Sequence, residues 1–192
     1  MRKAWVLLWG GLVLVASGCA VVPKSTEHAQ LELTQALVLK EHAWSLSGRL
    51  ALKRNHVAES VRIKWQHKSS PSSERLAVYG PLGRQWVVIK LVGDSVVVDY
   101  GTGREKTVSS LTEGLDLGLG FDVPIVAFRY WVLGLPAPGS QFVYEPDGFI
   151  QRGWRILFSK ITRVDQYRLP KKIQMSYGDI KLKLLVDQWQ LF

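Results

Sequence analysis

The sequence predicts a mainly β fold, an antiparallel meander of about eleven strands curled towards a barrel, with a helical insert packed across it. Three observations predict it. From Trp44 onward, apolar and polar residues alternate with a period of two, as a strand with one buried face requires. Short polar or glycine-containing turns separate these runs, which favours hairpins. In the middle, residues 110–134 break the alternation with short apolar helices that need an apolar surface to cover.

The chain begins with a bacterial export signal that ends at a lipidation motif. Arg2 and Lys3 precede an apolar run from Ala4 to Val15, which is shorter than the roughly 20 residues of a membrane-spanning helix. Small residues then stand directly before Cys19, as in a lipobox, where the Cys is lipidated and the leader (1–18) is removed. The alternative is an ordinary secretory signal with an incidental cysteine. Because Cys19 is the only cysteine, an intramolecular disulfide is excluded.

The mature chain, 19–192, has the length of one domain, with residues 19–25 as a short tether. Its formal charge falls from +9 to +7 once Arg2 and Lys3 are removed. A basic surface commonly contacts nucleic acid, an anionic membrane or an acidic protein. Export argues against nucleic acid, so we expect no nucleic-acid partner. We expect a monomer.

The first half of the mature chain is predicted to hold one helix and six strands. The helix runs from about Glu27 to Lys40, with Ser25 or Thr26 as its cap. The predicted strands are 44–53, 60–66, 74–79, 84–91, 95–100 and 106–108. Asn55 connects the first pair, and the fourth and fifth strands carry apolar residues at successive positions, so this part of the sheet is expected to be covered on both faces.

The middle and last parts are predicted to be helical and then β again. Ser110 and Glu113 have capping-box spacing and open a short helix through about Leu117. A second helix starts at Pro124 and ends at Gly134. Strands are then expected at about 141–144, 152–160, 166–168, 171–177 and 180–186.

The sequence lacks the motifs of the common catalytic and metal sites. Its four histidines have no metal-ligand spacing, and neither a nucleotide-binding loop nor a Gly-x-Ser-x-Gly motif occurs. The carboxylates lie mainly in predicted turns, where Asp is expected for backbone reasons. We therefore predict neither an enzyme nor a metal or cofactor site.

Six segments of the chain, taken in order, carry a resemblance to a known family. They are Trp44–Ala51, Gly80-Pro81-Leu82-Gly83, Val123–Pro136, Gly153-Trp154, Leu169-Pro170 and Ile180–Trp189. Their order resembles the LolB family of outer-membrane lipoprotein receptors. Trp44–Ala51 resembles the first strand of that family, Gly80–Gly83 its Pro-Leu-Gly loop, and Val123–Pro136 a helix that ends in Trp-x-x-Gly-x-Pro. The other three segments resemble the final third of the family.

The resemblance implies an incomplete, open antiparallel barrel with a short helical lid over an apolar cavity. It implies a receptor anchored in the inner leaflet of the outer membrane and facing the periplasm. Such a receptor accepts lipoproteins from the periplasmic carrier LolA, binds their acyl chains and inserts them into that leaflet without a cofactor. Ala20, directly after Cys19, is not the Asp that retains enterobacterial lipoproteins in the inner membrane.

Two sets of residues are candidates for these roles. The cavity wall is expected to include inward-facing strand residues and two lid residues, namely Leu46, Leu50, Val61, Ile63, Trp65, Trp86, Val88, Phe128 and Trp131. These residues could equally pack against one another as an ordinary core. In the loop, Pro81 and Gly83 suit a tight turn that presents Leu82 to solvent. The resemblance implies that Leu82 touches the membrane, and the alternative is that it tucks under its loop.

Three other functions compete with the receptor. A lipid-anchored, lipocalin-like barrel would hold one small apolar ligand and would not need Leu82. A structural lipoprotein that tethers envelope layers would have a filled core. A lipid-directed hydrolase would need a nucleophile and a base together in the cavity.

Overall fold

The computed structural model describes residues 42–69, 71–92, 95–101, 105–108, 114–116 and 121–192. The predicted leader, Cys19, the tether and the helix at 27–40 lie outside these residues. Within the described ranges, no helix is both long and apolar enough to cross a membrane.

The described residues form thirteen strands and one short helix. In chain order they are β1 (Trp44–Arg54), β2 (Val57–Ser69), β3 (Ser72–Tyr79), β4 (Gln85–Val92), β5 (Ser95–Asp99), β6 (Glu105–Val108), β7 (Leu115–Asp116), β8 (Asp122–Val123), α1 (Ile125–Trp131), β9 (Phe142–Glu145), β10 (Gly148–Gln151), β11 (Trp154–Val164), β12 (Tyr167–Tyr177) and β13 (Ile180–Leu191).

Eleven of these strands form one open antiparallel sheet, in the order β6-β5-β4-β3-β2-β1-β13-β12-β11-β10-β9. Strands that are consecutive in the sequence are neighbours in this sheet, and the one pairing between distant strands joins β1 to β13. The sheet ends at β6 on one side and β9 on the other, so it does not close on itself. The predicted mainly β, open antiparallel fold with a short helix is confirmed.

Several predicted boundaries need correction. Leu115 and Asp116 lie in β7 rather than in the short helix predicted from Ser110. The chain forms an additional strand, β10, and turns at Arg152, which has a positive φ of 52°. The two strands predicted on either side of Pro170 are one strand, β12. Pro170 is tolerated because the β11 pairing is irregular beside it and the β13 pairing begins only at Lys172.

The core lies between one face of the large sheet and helix α1. Leu46 of β1 pairs with Trp65, Trp65 with Leu76, and Leu76 with Ile89, so this row crosses four strands on one face. All four side chains are buried in one cluster with the apolar residues of α1. We call this the inner face. Val88 and Ala77 are buried on the opposite, outer face, but Lys90 and Val92 on the same face of β4 are exposed. The expected cover on both faces of this part of the sheet is therefore not observed along β4.

The β1–β13 pairing depends on a glycine. A Cβ added to Gly48 would lie 2.4 Å from the carbonyl oxygen of Leu185 in β13, too close for any side chain. The strand register shifts by one residue at this point, between Ser47 and Gly48. Gly48 therefore permits the close approach of the two backbones on which the middle of the sheet is built.

Candidate functional site

The structure brings most of the predicted cavity residues together. Leu46, Ile63 and Trp65 are buried on the inner face, and Leu50 and Val61 are partly buried against the same cluster. The two candidates from the lid, Phe128 and Trp131, are buried on α1. The ring centroids of both lie 6.0 Å from that of Trp154 in β11. The inner face and α1 thus enclose a continuous apolar interior rich in aromatic side chains.

Two predicted cavity residues lie on the wrong face. Val88 pairs with Ala77, which pairs with the exposed Lys64, so Val88 belongs to the outer face. Trp86 is two residues away on the same strand and is 42% exposed. Val87 and Ile89 take the inner positions instead. The reason is that β4 is apolar at successive positions. Alternation alone therefore does not reveal which of its two alternating sets of side chains faces the core.

Sequence reasoning also missed part of the wall that comes from the C-terminal strands. Ile156, Ile173, Met175 and Leu184 are each at most 2% exposed and join the same core cluster. Their side chains point to the inner face of the sheet, and Ile173 of β12 pairs directly with Leu184 of β13. The alternation of β13 was visible in the sequence, but its pairing with β1 was not.

A buried charged group attaches α1 to the sheet. The Glu74 side chain is only 1% exposed, and its Oε1 lies 3.0 Å from Nε of Arg129 on α1. This is an ion pair whose geometry is poor for a hydrogen bond. The indole N–H of Trp65 donates to Glu74 Oε2 at 2.8 Å, and His67 Nδ1 lies 3.2 Å from Oε1. We call these four residues the Glu74 cluster.

A buried amide holds the chain that follows α1. Gln151 of β10 accepts hydrogen bonds from Trp131 Nε1 at 2.8 Å and from the backbone N–H of Ala137 at 2.7 Å. Its Nε2 donates to the carbonyl oxygens of Ala137 at 2.7 Å and Ser140 at 3.2 Å. All four hydrogen-bonding positions of this amide are used, and they attach the C-terminal end of α1 and the chain at 137–140 to β10.

The loop between β3 and β4 is short, well braced and tipped by an apolar residue. Gly83 N–H donates to the Gly80 carbonyl at 3.0 Å, and Gly80 N–H donates to the Arg84 carbonyl at 2.9 Å. Gly83 has a φ of +74°, and the Trp86 indole packs directly over Gly80. Leu82 at the tip is 98% exposed, so it does not tuck under the loop. The loop therefore holds the apolar side chain of Leu82 in solvent.

Comparison with known proteins identifies the family. A family described as "Outer membrane lipoprotein LolB" matches residues 42–189. The chain belongs to the LolB family. The outer-membrane lipoprotein LolB of Chromohalobacter salexigens is 36% identical over 202 residues, covering 96% of this chain and 90% of that protein. LolB of Halorhodospira halophila is 32% identical, covering 92% of this chain and 90% of that protein.

Two solved structures share the fold of this chain. An outer-membrane lipoprotein-sorting protein domain from Vibrio parahaemolyticus superposes with a TM-score of 0.59 at 11% identity, covering 86% of this chain and 91% of its own. A LolA superfamily protein from Nitrosomonas europaea gives 0.53 at 10% identity, covering 86% and 93%. The open sheet with a short helix is thus a shared fold.

Proposed function

We propose that this chain is a lipoprotein receptor of the outer membrane. Lipidated at Cys19 and facing the periplasm, it accepts lipoproteins from the periplasmic carrier LolA. It holds their acyl chains in its interior and releases them into the inner leaflet as a monomer. The observation that carries the proposal is the combination of an apolar inner face covered by one short helix with a fully exposed leucine on a braced loop.

The energy of exposed acyl chains explains why a receptor is needed. A triacylated lipoprotein carries about 45 methylenes, and at roughly 0.8 kcal/mol each their exposure to water would cost on the order of 35 kcal/mol. The chains must therefore pass from one apolar interior to another without an aqueous interval. No nucleotide is required if the receptor interior binds them more tightly than the carrier does.

Entry to the interior requires that α1 move away from the inner face. The helix is only seven residues long, so it can move as a unit without unfolding a large structure. Its polar contacts to the sheet are concentrated in the Glu74 cluster and in the amide of Gln151. Displacing α1 uncovers the aromatic wall around Trp154, against which Phe128 and Trp131 pack.

Leu82 acts at the release step. Burial of one leucine side chain in the acyl region is worth about 1.5–3 kcal/mol, enough for a brief contact with the leaflet but not for a permanent one. The two backbone hydrogen bonds of the loop hold this side chain away from the protein. The contact therefore brings the interior close to the leaflet without anchoring the domain in it.

The test is a transfer experiment with Leu82→Glu. A radiolabelled lipoprotein loaded on LolA is mixed with the variant and with vesicles. We expect acceptance from the carrier to be normal and transfer into vesicles to fall at least tenfold, because a charged tip cannot enter the acyl region. Val92→Glu is the matched control, since Val92 is 61% exposed at the opposite end of the sheet. Normal insertion by Leu82→Glu would refute the role of the loop.

A further inference from the structure

The outer face of the sheet contains a hollow that the acyl-chain pathway does not use. It crosses β2, β1, β13, β12 and β11 and has a volume of about 620 Å³. Small side chains form its floor: Ala51, Ala58, Ser60 and Ser176. Longer side chains stand around them, so the hollow exists because alanine and serine occupy positions between long neighbours. We call this feature the basic groove.

Three lysines of the basic groove face one another without a counter-charge. Lys53 pairs directly with Lys181 across β1 and β13, and Lys183 is the next residue on the same face of β13. Within the described part of the chain, no ion pair involves any of the three. Like charges directly opposite each other destabilise a sheet. An anion bound between them would relieve this repulsion.

The other charged residues of the basic groove do not neutralise these lysines. Arg155 donates a hydrogen bond of 2.6 Å to Glu145, and this contact raises the pKa of Arg155 above its ordinary value. Arg155 and Glu145 therefore form an ion pair with each other and not with the lysines. Glu59 pairs with Leu52 of the inner face, so by strand alternation its side chain leaves the sheet on the side opposite the lysines. Ser60, Ser176 and Gln174 add neutral hydrogen-bond donors.

The position of the basic groove indicates which anion it meets. The β1–β2 turn at 55–56, the β12–β13 turn at 178–179 and the loop that carries Leu82 all lie at the same end of the sheet. β3 ends opposite Arg62, so this loop lies beside residues 57–61 of β2, which β3 does not cover. An exposed apolar tip and a cluster of cations at the same end of a protein are typical of proteins that bind the surface of an anionic bilayer.

We propose that the basic groove binds the phosphate of an anionic lipid headgroup while Leu82 touches the acyl region of the same leaflet. This inference rests on the proposed function and adds the substrate chemistry of the membrane contact. Three ammonium groups and the serine hydroxyls supply the donors that a phosphate requires. Two contacts at one end of the sheet orient the receptor, which one leucine alone cannot do.

The test measures binding of the mature chain to vesicles, with Cys19→Ala so that no acyl anchor hides the contact. Lys53, Lys181 and Lys183 are replaced together by Gln. On vesicles that contain phosphatidylglycerol we expect the partition coefficient to fall about 100-fold. On phosphatidylcholine alone we expect no change. The matched control replaces three exposed lysines outside the basic groove, Lys68, Lys160 and Lys171, and should change binding less than tenfold.

The outcomes separate this inference from the proposed function. If the groove variant binds anionic vesicles as the parent does, or no worse than the control triple, the inference is wrong even when Leu82→Glu still abolishes insertion. If Leu82→Glu inserts normally but the groove variant loses vesicle binding, the proposed role of the loop is refuted and the headgroup site stands. If the groove variant loses transfer from LolA while its vesicle binding is unchanged, the lysines contact the carrier and the inference is overturned. Equal binding of soluble glycerol phosphate by the parent and the groove variant would also overturn it.

A thermal unfolding curve shows whether the groove variant binds poorly only because it is less stable than the parent. Because the three lysines repel one another across β1 and β13, their removal should leave Tm unchanged or raise it. A groove variant that binds poorly but unfolds at a lower temperature than the parent would count against the inference.

Discussion

Replacement of Glu74 by Leu tests whether the Glu74 cluster fixes α1 to the sheet. The substitution leaves Arg129, whose side chain is 17% exposed, without its counter-ion. It also removes the acceptor of the Trp65 indole N–H. Loss of one partner from a buried ion pair costs about 3–5 kcal/mol, and the lower value applies here because Arg129 is partly exposed. A buried donor that loses its acceptor, here the Trp65 indole N–H, costs about 1–3 kcal/mol. We expect a loss of about 4 kcal/mol in the free energy of unfolding.

Urea unfolding followed by tryptophan fluorescence measures this loss, and a double-mutant cycle assigns it. Arg129→Met removes the other charge, and the double variant Glu74→Leu/Arg129→Met leaves neither charge unpaired. The double variant should therefore recover at least 2 kcal/mol relative to the sum of the single changes. Glu105→Gln is the control, because Glu105 and its partner Lys90 are about half exposed and such pairs contribute about 0–1 kcal/mol.

The result that would refute this reasoning is a Glu74→Leu variant that loses no more stability than the Glu105→Gln control. A second readout concerns the lid itself. Arg129→Met should increase the binding of an apolar fluorescent probe at equal folded fraction, since α1 is then held mainly by Gln151. No increase in probe binding would show that the ion pair does not restrain α1.

Two further substitutions test the framework around the interior. Gly48→Ala should lower the free energy of unfolding by about 2 kcal/mol or more, because the new Cβ would lie 2.4 Å from the Leu185 carbonyl oxygen; an unchanged urea midpoint would contradict this. Gln151→Leu should cost about 3 kcal/mol, because it orphans the Trp131 indole N–H and a buried backbone N–H and carbonyl. The exposed Gln188→Leu serves as the comparison and should shift the midpoint little.

Local patterns in the sequence were sufficient for much of the sheet. The alternation from Trp44 to Leu52 and the turn at Asn55 predicted the first hairpin, and Pro124 with Gly134 predicted the helix observed as α1. Each of these is decided by residues a few positions apart. Leu82 was predicted to be exposed for the same reason, since the flanking glycines and Pro81 define the turn by themselves.

What the sequence left open depends on distant parts of the chain. The β1–β13 pairing joins residues more than 100 positions apart, and no local pattern encodes it. Successive apolar residues in β4 hid which parity is inward, so Trp86 and Val88 were placed on the wrong face. Glu74 looked like an ordinary strand residue, because its partner Arg129 comes from a helix in the middle of the chain.

The two free edges of the sheet have a mechanical consequence. The segment that carries α1 leaves β6 at one edge and enters β9 at the other. Among the described residues, each of these two strands has a neighbour on one side only. An edge strand breaks fewer hydrogen bonds when it bends than a strand that is paired on both sides, so β6 and β9 are the strands that can open at the lowest cost. Under the proposed receptor function, opening at these edges would admit a bulky cargo while the paired middle of the sheet stays intact.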